Sequence, residues 1–400
     1  MVFYNRAILS TDNIIHHLVK KFSVYPTQWM HYKTDVSNTV YLHTEEKNNN
    51  QNSSFHLNAS DVHTKSMKKN LHNFLSQRKK QTIIYLMNDE VAKQFVVLIK
   101  DDLLKNMKQV VEINPGLGLL TKELLQANVP FIHLYESNTQ YSDSLNNLSE
   151  KFPNRLSLKI FNTCSLSKLL SDITVNTDDK LLSNIQKKKW EESCVQIVGA
   201  TIQSAFIRNL IGCTIFQTSI MMYGRPTFYF AIPMSIYRKL VHPKRSTAIY
   251  IIFNTLFNLQ IFGTVDRKAF LPQHKSKNTK SSKLRTNEDC LLTVVKIEPK
   301  PDLFTLFKSR KDLIYFWHFV RHNFYKPSTK VIPTLEKIIP DCGVKLIAQN
   351  YNIFTQFSDL TPTQVYDLFF QLQSWPGFEE STFVLSANDI KNLYDPYLEE

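Results

Sequence analysis

The feature that most constrains the fold is a glycine-containing turn between an apolar run and an amphipathic stretch. Glycine is scarce in this chain, with 8 residues in 400. Two of them, Gly116 and Gly118, are separated by one residue and follow directly after the apolar run at 110–113. Glycine allows a tight turn whose backbone approaches a ligand closely at the positive end of the next helix. The pattern therefore predicts a strand, a ligand-binding turn and a helix.

The residues around this turn predict a βαβ unit. Apolar positions recur at helical spacing over residues 89–104, and residues 110–113 form a short buried strand. Residues 119–127 are typical of a helix, and residues 130–135 of a second strand. A strand, helix and strand within such a short stretch are typical of an α/β sheet with parallel strands.

Further strands and a second domain follow along the chain. Later strands are predicted at residues 195–198, 227–232 and 291–297. From Asp312 onward the apolar residues change to helical spacing, in segments separated by prolines. We therefore expect an α/β domain over residues 68–308 and a smaller C-terminal helical domain over residues 309–400.

A carboxylate near the end of the second predicted strand indicates what the turn binds. Glu136 lies 20 residues after Gly116 (136 − 116), where an acid can accept the hydroxyls of a ribose. Position 121 is Thr rather than the third glycine of a dinucleotide fingerprint. This favours a mononucleoside such as S-adenosylmethionine, and it disfavours an oxidoreductase that uses NAD. A turn that needs glycine only for its shape is the alternative.

The charge balance favours a polyanionic partner. The chain has 48 Lys and Arg residues against 35 Asp and Glu residues, a net charge of +13. Such a surface gains binding free energy by displacing counterions from phosphates, although excess charge can also serve solubility alone. Residues 274–285 contain no acid and predict a basic loop that contacts nucleic acid, with a solvated linker as the alternative. Its basic residues are Lys275, Lys277, Lys280, Lys283 and Arg285.

The N-terminal residues predict a targeting segment. The first 34 residues are basic and amphipathic, and Asp12 is their single acid. This composition is typical of a mitochondrial transit peptide, with an ordinary surface helix as the alternative. An Asn-rich linker at 48–54 follows, so we assign residues 1–67 to a transit peptide and polar linker. No run approaches ~18 uncharged apolar residues, which argues against membrane insertion. Five scattered cysteines predict neither a disulfide framework nor a metal site.

The glycine turn resembles the first motif of the rRNA adenine dimethyltransferase family. That motif reads acid, any residue, Gly-Pro-Gly, any residue, Gly, any residue, Leu-Thr. The matching residues are Glu112, Pro115, Gly116, Gly118, Leu120 and Thr121, while Asn114 replaces the first glycine. An Asn there resembles the mitochondrial transcription factor B branch of the family. Further matches follow in order at Tyr85, Leu86, Gly224, Arg225, Glu298, Pro299, Leu360, Thr361 and Pro362, so the resemblance covers residues 80–400.

This resemblance implies a fold, a cofactor and a set of site residues. The fold is a Rossmann-like S-adenosylmethionine methyltransferase domain, and the cofactor is S-adenosylmethionine. In family enzymes an acid after the third strand holds the adenine amino group, and Asn162 stands at the matching position here. The cofactor-binding residues implied are Leu86, Glu112, Gly116, Gly118, Glu136 and Asn162.

The family's catalytic motif is degenerate in this chain. Family enzymes carry Asn or Asp, an apolar residue, Pro and Tyr or Phe, which anchor and stack a flipped-out adenine. The matching residues here are Gly199, Ala200, Thr201 and Ile202. Loss of the hydrogen bond and the stack, ~2–6 kcal/mol together, slows methyl transfer by about 30-fold to 10⁴-fold. We therefore assign no catalytic residue and expect weak or lost activity, with a displaced functional motif as the alternative.

The branch implies a function that does not need catalysis. Its members act in the mitochondrial matrix, at the nucleoid, where they help the mitochondrial RNA polymerase to melt promoter DNA. An active S-adenosylmethionine-dependent mitochondrial rRNA adenine dimethyltransferase, with rRNA as its partner, is the alternative. Arg321 and Lys326 are candidate nucleic-acid contacts in a stretch rich in aromatic and basic residues. Aromatic residues there, such as Tyr315 and Trp317, are candidates for base stacking or for the core.

Overall fold

The structure is a computed structural model that describes residues 83–105, 107–160, 185–243, 245–272 and 290–394. The described residues all belong to one compact unit, which spans residues 66–400. Several predictions lie outside the described residues: the transit peptide and linker at 1–67, Asn162, and the basic residues Lys275, Lys277, Lys280, Lys283 and Arg285.

The described strands, in chain order, are β1 (Tyr85–Leu86), β2 (Gln109–Ile113), β3 (Ile132–Glu136), β4 (Leu156–Ile160), β5 (Ser193–Ala200), β6 (Arg225–Pro233), β7 (Phe257–Asp266), β8 (Phe270–Leu271) and β9 (Leu291–Pro299). The described helices are α1 (Asp89–Lys105), α2 (Leu119–Gln126), α3 (Ser142–Lys151), α4 (Ala205–Phe216), α5 (Met234–Val241), α6 (Ala248–Leu256), α7 (Leu303–Leu306), α8 (Arg310–Asn323), α9 (Val331–Leu335), α10 (Cys342–Ala348), α11 (Pro362–Gln373) and α12 (Thr382–Tyr394).

Seven strands form the main sheet, in the order β4-β3-β2-β5-β6-β9-β7. The first five in this order are parallel to one another, whereas β9 is antiparallel to both β6 and β7. The chain runs outward from β2 through β3 to β4 and then returns to β5 on the other side of β2. The strand order therefore reverses between β2 and β5, and open α/β sheets bind their ligands at this point, beyond the carboxyl ends of the strands.

The central strands are buried because helices cover both faces of the sheet. Along β2, Val110 packs in one apolar cluster and Val111 in another, as alternating residues of a strand must. One face lies against α1 and α2, and the other against α4 and α6. This arrangement confirms the predicted α/β class. Among the described residues, no helix is long and apolar enough to cross a membrane.

The C-terminal helices share the core of one sheet face. The apolar cluster that contains Val111 continues through α8, α11 and α12. The Phe216 ring at the end of α4 lies 5.2 Å from the Trp317 ring of α8. The Arg310 guanidinium also donates a 2.6 Å hydrogen bond to the Phe216 carbonyl. The predicted helical C-terminal region is confirmed, and the domain boundaries at 67 and 308 stay predictions.

Candidate cofactor site

The turn between β2 and α2 follows a left-handed path that its residues permit. Asn114, Gly116 and Gly118 have φ angles of 54°, 60° and 75°. A Cβ atom on Gly116 would lie 2.8 Å from Cδ1 of Tyr85, so glycine is required there by space as well as by conformation. Asparagine is one of the few other residues that adopt this conformation readily. Asn114 therefore takes a left-handed conformation that is otherwise typical of glycine.

Glu136, the last residue of β3, lies directly beneath this turn and has no exposed surface. Its Oε2 atom accepts the Gly116 N–H at 2.9 Å. Its Oε1 atom accepts the N–H groups of Ser137 at 2.7 Å and Asn138 at 2.8 Å. The Tyr85 hydroxyl donates to the same oxygen at 3.1 Å. Burial raises the pKa of Glu136, while these donors stabilise its charged form and oppose the increase.

Two tyrosine rings complete the surroundings of Glu136. Tyr85 and Tyr141 are each 4% exposed, and their ring centroids lie 4.8 Å apart. Burial, and then the charge of Glu136, raises the pKa of both phenols, so both keep their protons. The backbone of Tyr85 is held in place because β1 pairs with β8, with Tyr85 opposite Leu271 and Leu86 opposite Phe270.

The contact of Tyr85 with Glu136 was not predicted from the sequence. Both residues of β1 match a family segment, but only Leu86 was assigned to the cofactor. Leu86 is buried in the apolar cluster beside Phe270, whereas the neighbouring Tyr85 reaches Glu136. The tyrosine hydroxyl itself was the available signal, because a buried phenol needs a hydrogen-bond partner.

Glu112 connects β2 to the first turn of α2. It is 2% exposed, and the Thr121 hydroxyl donates to its Oε2 atom at 2.7 Å. Burial raises the pKa of Glu112 to about 8, and the hydrogen bond from Thr121 opposes this increase. Thr121 was identified from the sequence as the Thr of the family motif, in place of a third dinucleotide-binding glycine, and the structure adds that its hydroxyl is the partner of this acid.

The degenerate motif lies beside the glycine turn. β5 is the neighbour of β2, with Val198 opposite Glu112. A Cβ atom on Gly199 would lie 3.4 Å from the Ile113 carbonyl oxygen, so this segment passes close to the end of β2. The Thr201 N–H donates to the Ala231 carbonyl at 3.0 Å. The Thr201 hydroxyl accepts the Gln203 N–H at 3.2 Å.

This segment offers no group that resembles the family's adenine-handling pair. Residues 199–202 contain no amide side chain, no carboxylate and no aromatic ring. The next aromatic residue, Phe206, is 3% exposed and stacks on Phe230 at 5.0 Å between centroids. Its ring is therefore part of the core and is not available to a base.

The predicted nucleic-acid contacts on α8 divide into core and surface residues. Tyr315 and Trp317 are buried, so they pack in the core and do not form a base-stacking surface. Arg321 is exposed, and its guanidinium lies over the Trp317 ring at 4.6 Å from the centroid. Lys326 is exposed beyond the end of this helix, next to Tyr325, which is 65% exposed.

The site fits an adenosine-containing cofactor in position and in chemistry. The turn lies at the point where the strand order reverses, and Glu136 lies at the end of the adjacent strand. Gly116, Gly118 and Glu136 are described residues around the turn that would hold S-adenosylmethionine, a methyl donor that contains adenosine. The assignments of Leu86 and Glu112 to this cofactor stay predictions. The described part of the chain contains no group of three or more His, Cys, Asp or Glu side chains that could hold a metal ion.

Comparison with known proteins agrees with this geometry. Residues 74–374 match the family described as ribosomal RNA adenine dimethylase. A protein from Drosophila melanogaster named mitochondrial dimethyladenosine transferase 2 is 30% identical over 383 residues, covering 80% of this chain and 84% of the relative. A Bos taurus protein of the same name is 23% identical over 344 residues, covering 82% and 83%.

A solved structure is similar over most of the chain. The dimethyladenosine transferase from Plasmodium falciparum is 14% identical, covers 77% of this chain and 95% of its own, and has a TM-score of 0.42. The extent of the family match and the identity to the Drosophila relative confirm what the glycine turn predicted. This chain belongs to the ribosomal RNA adenine dimethylase family.

Proposed function

We propose that this chain is a mitochondrial transcription initiation factor that assists the mitochondrial RNA polymerase by melting promoter DNA. The observation that carries the proposal is a preserved glycine turn beside a segment, Gly199 to Ile202, without adenine-handling side chains. A protein that extrudes a base must bind a distorted, unpaired strand. Once methyl transfer is lost, the same binding stabilises melted duplex, and melting becomes the useful outcome.

Family membership supports part of this proposal. The chain is a methyltransferase of the rRNA adenine dimethyltransferase type by family, and S-adenosylmethionine is its candidate cofactor. The Drosophila and Bos taurus relatives are both named as mitochondrial proteins. We extend this location to the present chain, with residues 1–67 as the transit peptide and polar linker and the matrix nucleoid as the destination.

The net charge of +13 supports nucleic acid as the partner. We assign phosphate contacts to the basic residues Lys275, Lys277, Lys280, Lys283, Arg285, Arg321 and Lys326. Arg321 and Lys326 are exposed in the structure, as such a role requires.

A run-off transcription assay with the cognate mitochondrial polymerase tests the proposal. Two templates are compared, a closed linear promoter and the same promoter with a pre-melted bubble at the start site. We expect this protein to increase transcript from the closed promoter and to have little effect on the bubble, because the bubble removes the need for melting. Equal transcript from the closed promoter with and without the protein refutes the proposal.

A charge-matched pair of variants tests the basic residues. The first variant replaces five basic residues by Gln, at Lys275, Lys277, Lys280, Lys283 and Arg285. The control variant removes the same charge from exposed lysines elsewhere, at Lys93, Lys105, Lys151, Lys187 and Lys189. We expect the first variant to lose more transcript than the control. Equal losses would show that only net charge matters.

An active rRNA adenine dimethyltransferase is the second candidate. The observation that favours it is the intact set of Glu112, Gly116, Gly118 and Glu136 around the turn. This candidate predicts transfer of labelled methyl groups from S-adenosylmethionine into a small-subunit rRNA hairpin. Incorporation no greater than that of a Glu112→Ala control eliminates it.

A further inference from the structure

The hydrogen-bonding capacity of Glu136 is already used by the protein itself. An ionised carboxylate has about four lone-pair positions on its two oxygens. The chain supplies four donors: the N–H groups of Gly116, Ser137 and Asn138 and the hydroxyl of Tyr85. A ribose that donates its hydroxyls to Glu136 therefore needs at least one of these donors to leave.

Tyr85 is the donor that can leave. The three N–H groups belong to the turn and to the residues after β3, so their positions are fixed by the backbone. The hydroxyl of Tyr85 belongs to a side chain, on a strand of two residues. It is also separated from Glu136 by 51 positions in the chain, so the contact depends on tertiary structure alone.

The ring of Tyr85 also covers the turn. A Cβ atom on Gly116 would lie 2.8 Å from the Cδ1 atom of Tyr85. Tyr141 packs against the same ring, and Glu136 has no exposed surface behind the two rings. With the Tyr85 side chain in this position, the carboxylate therefore has no surface open to a ligand.

We propose that Tyr85 is a built-in competitor for the ribose of a nucleoside cofactor. Its hydroxyl holds an acceptor position on Glu136 that a ribose hydroxyl requires, and its ring covers Gly116. Cofactor binding exchanges the hydrogen bond from Tyr85 for one from the ribose, so the net gain is small and the affinity is low. This inference concerns the cofactor site and does not depend on promoter melting.

Calorimetric titration of the full-length protein with S-adenosylmethionine and with S-adenosylhomocysteine tests the proposal. Tyr85→Phe keeps the ring and leaves one acceptor position on Glu136 without a donor. A hydrogen bond to a charged group corresponds to about tenfold or more in affinity, so we expect the Kd of both compounds to fall by roughly tenfold. An unchanged or higher Kd, or no binding by either protein, overturns the proposal.

Two matched variants separate this effect from a general loosening of the site. Tyr141→Phe removes a neighbouring hydroxyl for which the described contacts show no hydrogen bond to Glu136. We expect its Kd to equal that of the wild type. Adding Glu136→Gln to Tyr85→Phe should cancel the gain, because the gain needs the carboxylate. A gain that also occurs with Tyr141→Phe, or that survives Glu136→Gln, contradicts the proposal.

A measurement on the wild type avoids any effect of substitution on folding. Tetranitromethane nitrates accessible tyrosines, and mass spectrometry locates the modified residue. Tyr85 is 4% exposed, so we expect little nitration of Tyr85 without ligand and more with saturating S-adenosylhomocysteine. No increase contradicts displacement of the ring. The transcription assay is independent of these results, so failure of one proposal leaves the other standing.

Discussion

Two buried carboxylates near the glycine turn differ in how the protein stabilises them. Glu136 accepts hydrogen bonds from four donors, which favour its charged form. For Glu112 the described hydrogen bonds give a single donor, the hydroxyl of Thr121. Because burial is the largest effect on Glu112, its pKa rises to about 8, and it keeps its proton at neutral pH. Burial raises the pKa of both acids, and the donors around Glu136 oppose this increase more extensively than Thr121 does at Glu112.

Glu112 should make the stability of the protein depend on pH. Its pKa is about 8 in the folded state and 4.5 ordinarily. The folded state therefore binds the proton of Glu112 more tightly than the unfolded state does. The resulting contribution to the free energy of unfolding is complete below pH 4.5 and is lost as the pH rises to 8. We expect the wild type to lose stability relative to Glu112→Gln, by up to about 1.4 kcal/mol per pH unit. Urea unfolding of both proteins between pH 5 and 8 measures this difference in stability.

A control variant changes an exposed carboxylate. Glu150 is exposed on α3, and Glu150→Gln should keep the wild-type dependence on pH. If the unfolding free energies of the wild type and Glu112→Gln change in parallel with pH, Glu112 is charged in the folded protein and the expectation is wrong.

Residue spacing predicted part of the site. Gly116, Gly118 and Glu136 were identified because a strand, a turn and a helix are local, and their spacing is visible in the chain. The contact of Tyr85 with Glu136 was not identified, because it joins residues 51 positions apart. Such a contact depends on how β1 pairs with β8, which no local pattern specifies.

At the scale of elements, the strands of the main sheet that sequence patterns missed lie at its edges, and β1 and β8, also missed, are two-residue strands of a separate sheet. β4 and β7 are the two outermost strands. β4 has no fully buried residue, so its apolar signal is weak. β7 begins at Phe257, directly after α6 ends at Leu256, so no turn residue separates the two. The predicted strands β2, β3, β5, β6 and β9 were found because they are buried and apolar.

Helix α1 is attached to the sheet by a network of charges. The Tyr229 hydroxyl of β6 donates to Asp102 Oδ2 at 2.7 Å. Lys296 of β9 lies 2.9 Å from the same oxygen and 4.0 Å from Glu298. Arg225 pairs with Glu298 at 3.2 Å. Since the Lys296 and Asp102 side chains are only 12% and 22% exposed, their interaction is weakly screened by water.

Removing the charge of Asp102 should therefore destabilise the protein. Asp102→Asn keeps an acceptor for Tyr229 but leaves Lys296 without its nearest negative partner. We expect a loss of about 1–3 kcal/mol in the free energy of unfolding. The adjacent Asp101 is exposed, and Asp101→Asn should change stability by less than about 0.5 kcal/mol. Chemical denaturation of both variants measures their free energies of unfolding. Equal losses of stability would argue against the network.

At the scale of the whole molecule, the helices after residue 309 share one apolar core with the sheet. The cluster that contains Val111 of β2 also contains Phe319 of α8 and Phe369 of α11. A shared core makes separate unfolding of the two regions costly, since either one would expose apolar surface of the other. The predicted boundary at 308 therefore need not separate two regions that unfold independently.

Unfolding by two local probes should show a single transition. One variant retains only Trp190, which lies near β5, and the other retains only Trp317 of α8. We expect the same urea midpoint for the two fluorescence signals and for the circular dichroism of each variant. Two separate midpoints would instead support an independently folding C-terminal domain.

The family and the α/β class were predictable because motif order and strand periodicity are properties of the chain. The order of strands in the sheet was not predictable from periodicity, since pairing between β2 and β5 joins distant segments. The continuity of the core into α8 also depends on packing, such as that of Phe216 against Trp317.

The left-handed backbone at Asn114 shows how a nucleotide-binding turn can drift away from its glycine signature. Asparagine reaches φ 54° at little cost, so this position takes a left-handed conformation without glycine. A search for such turns by backbone dihedral angles would therefore find this one, whereas a search for the full glycine motif would miss it.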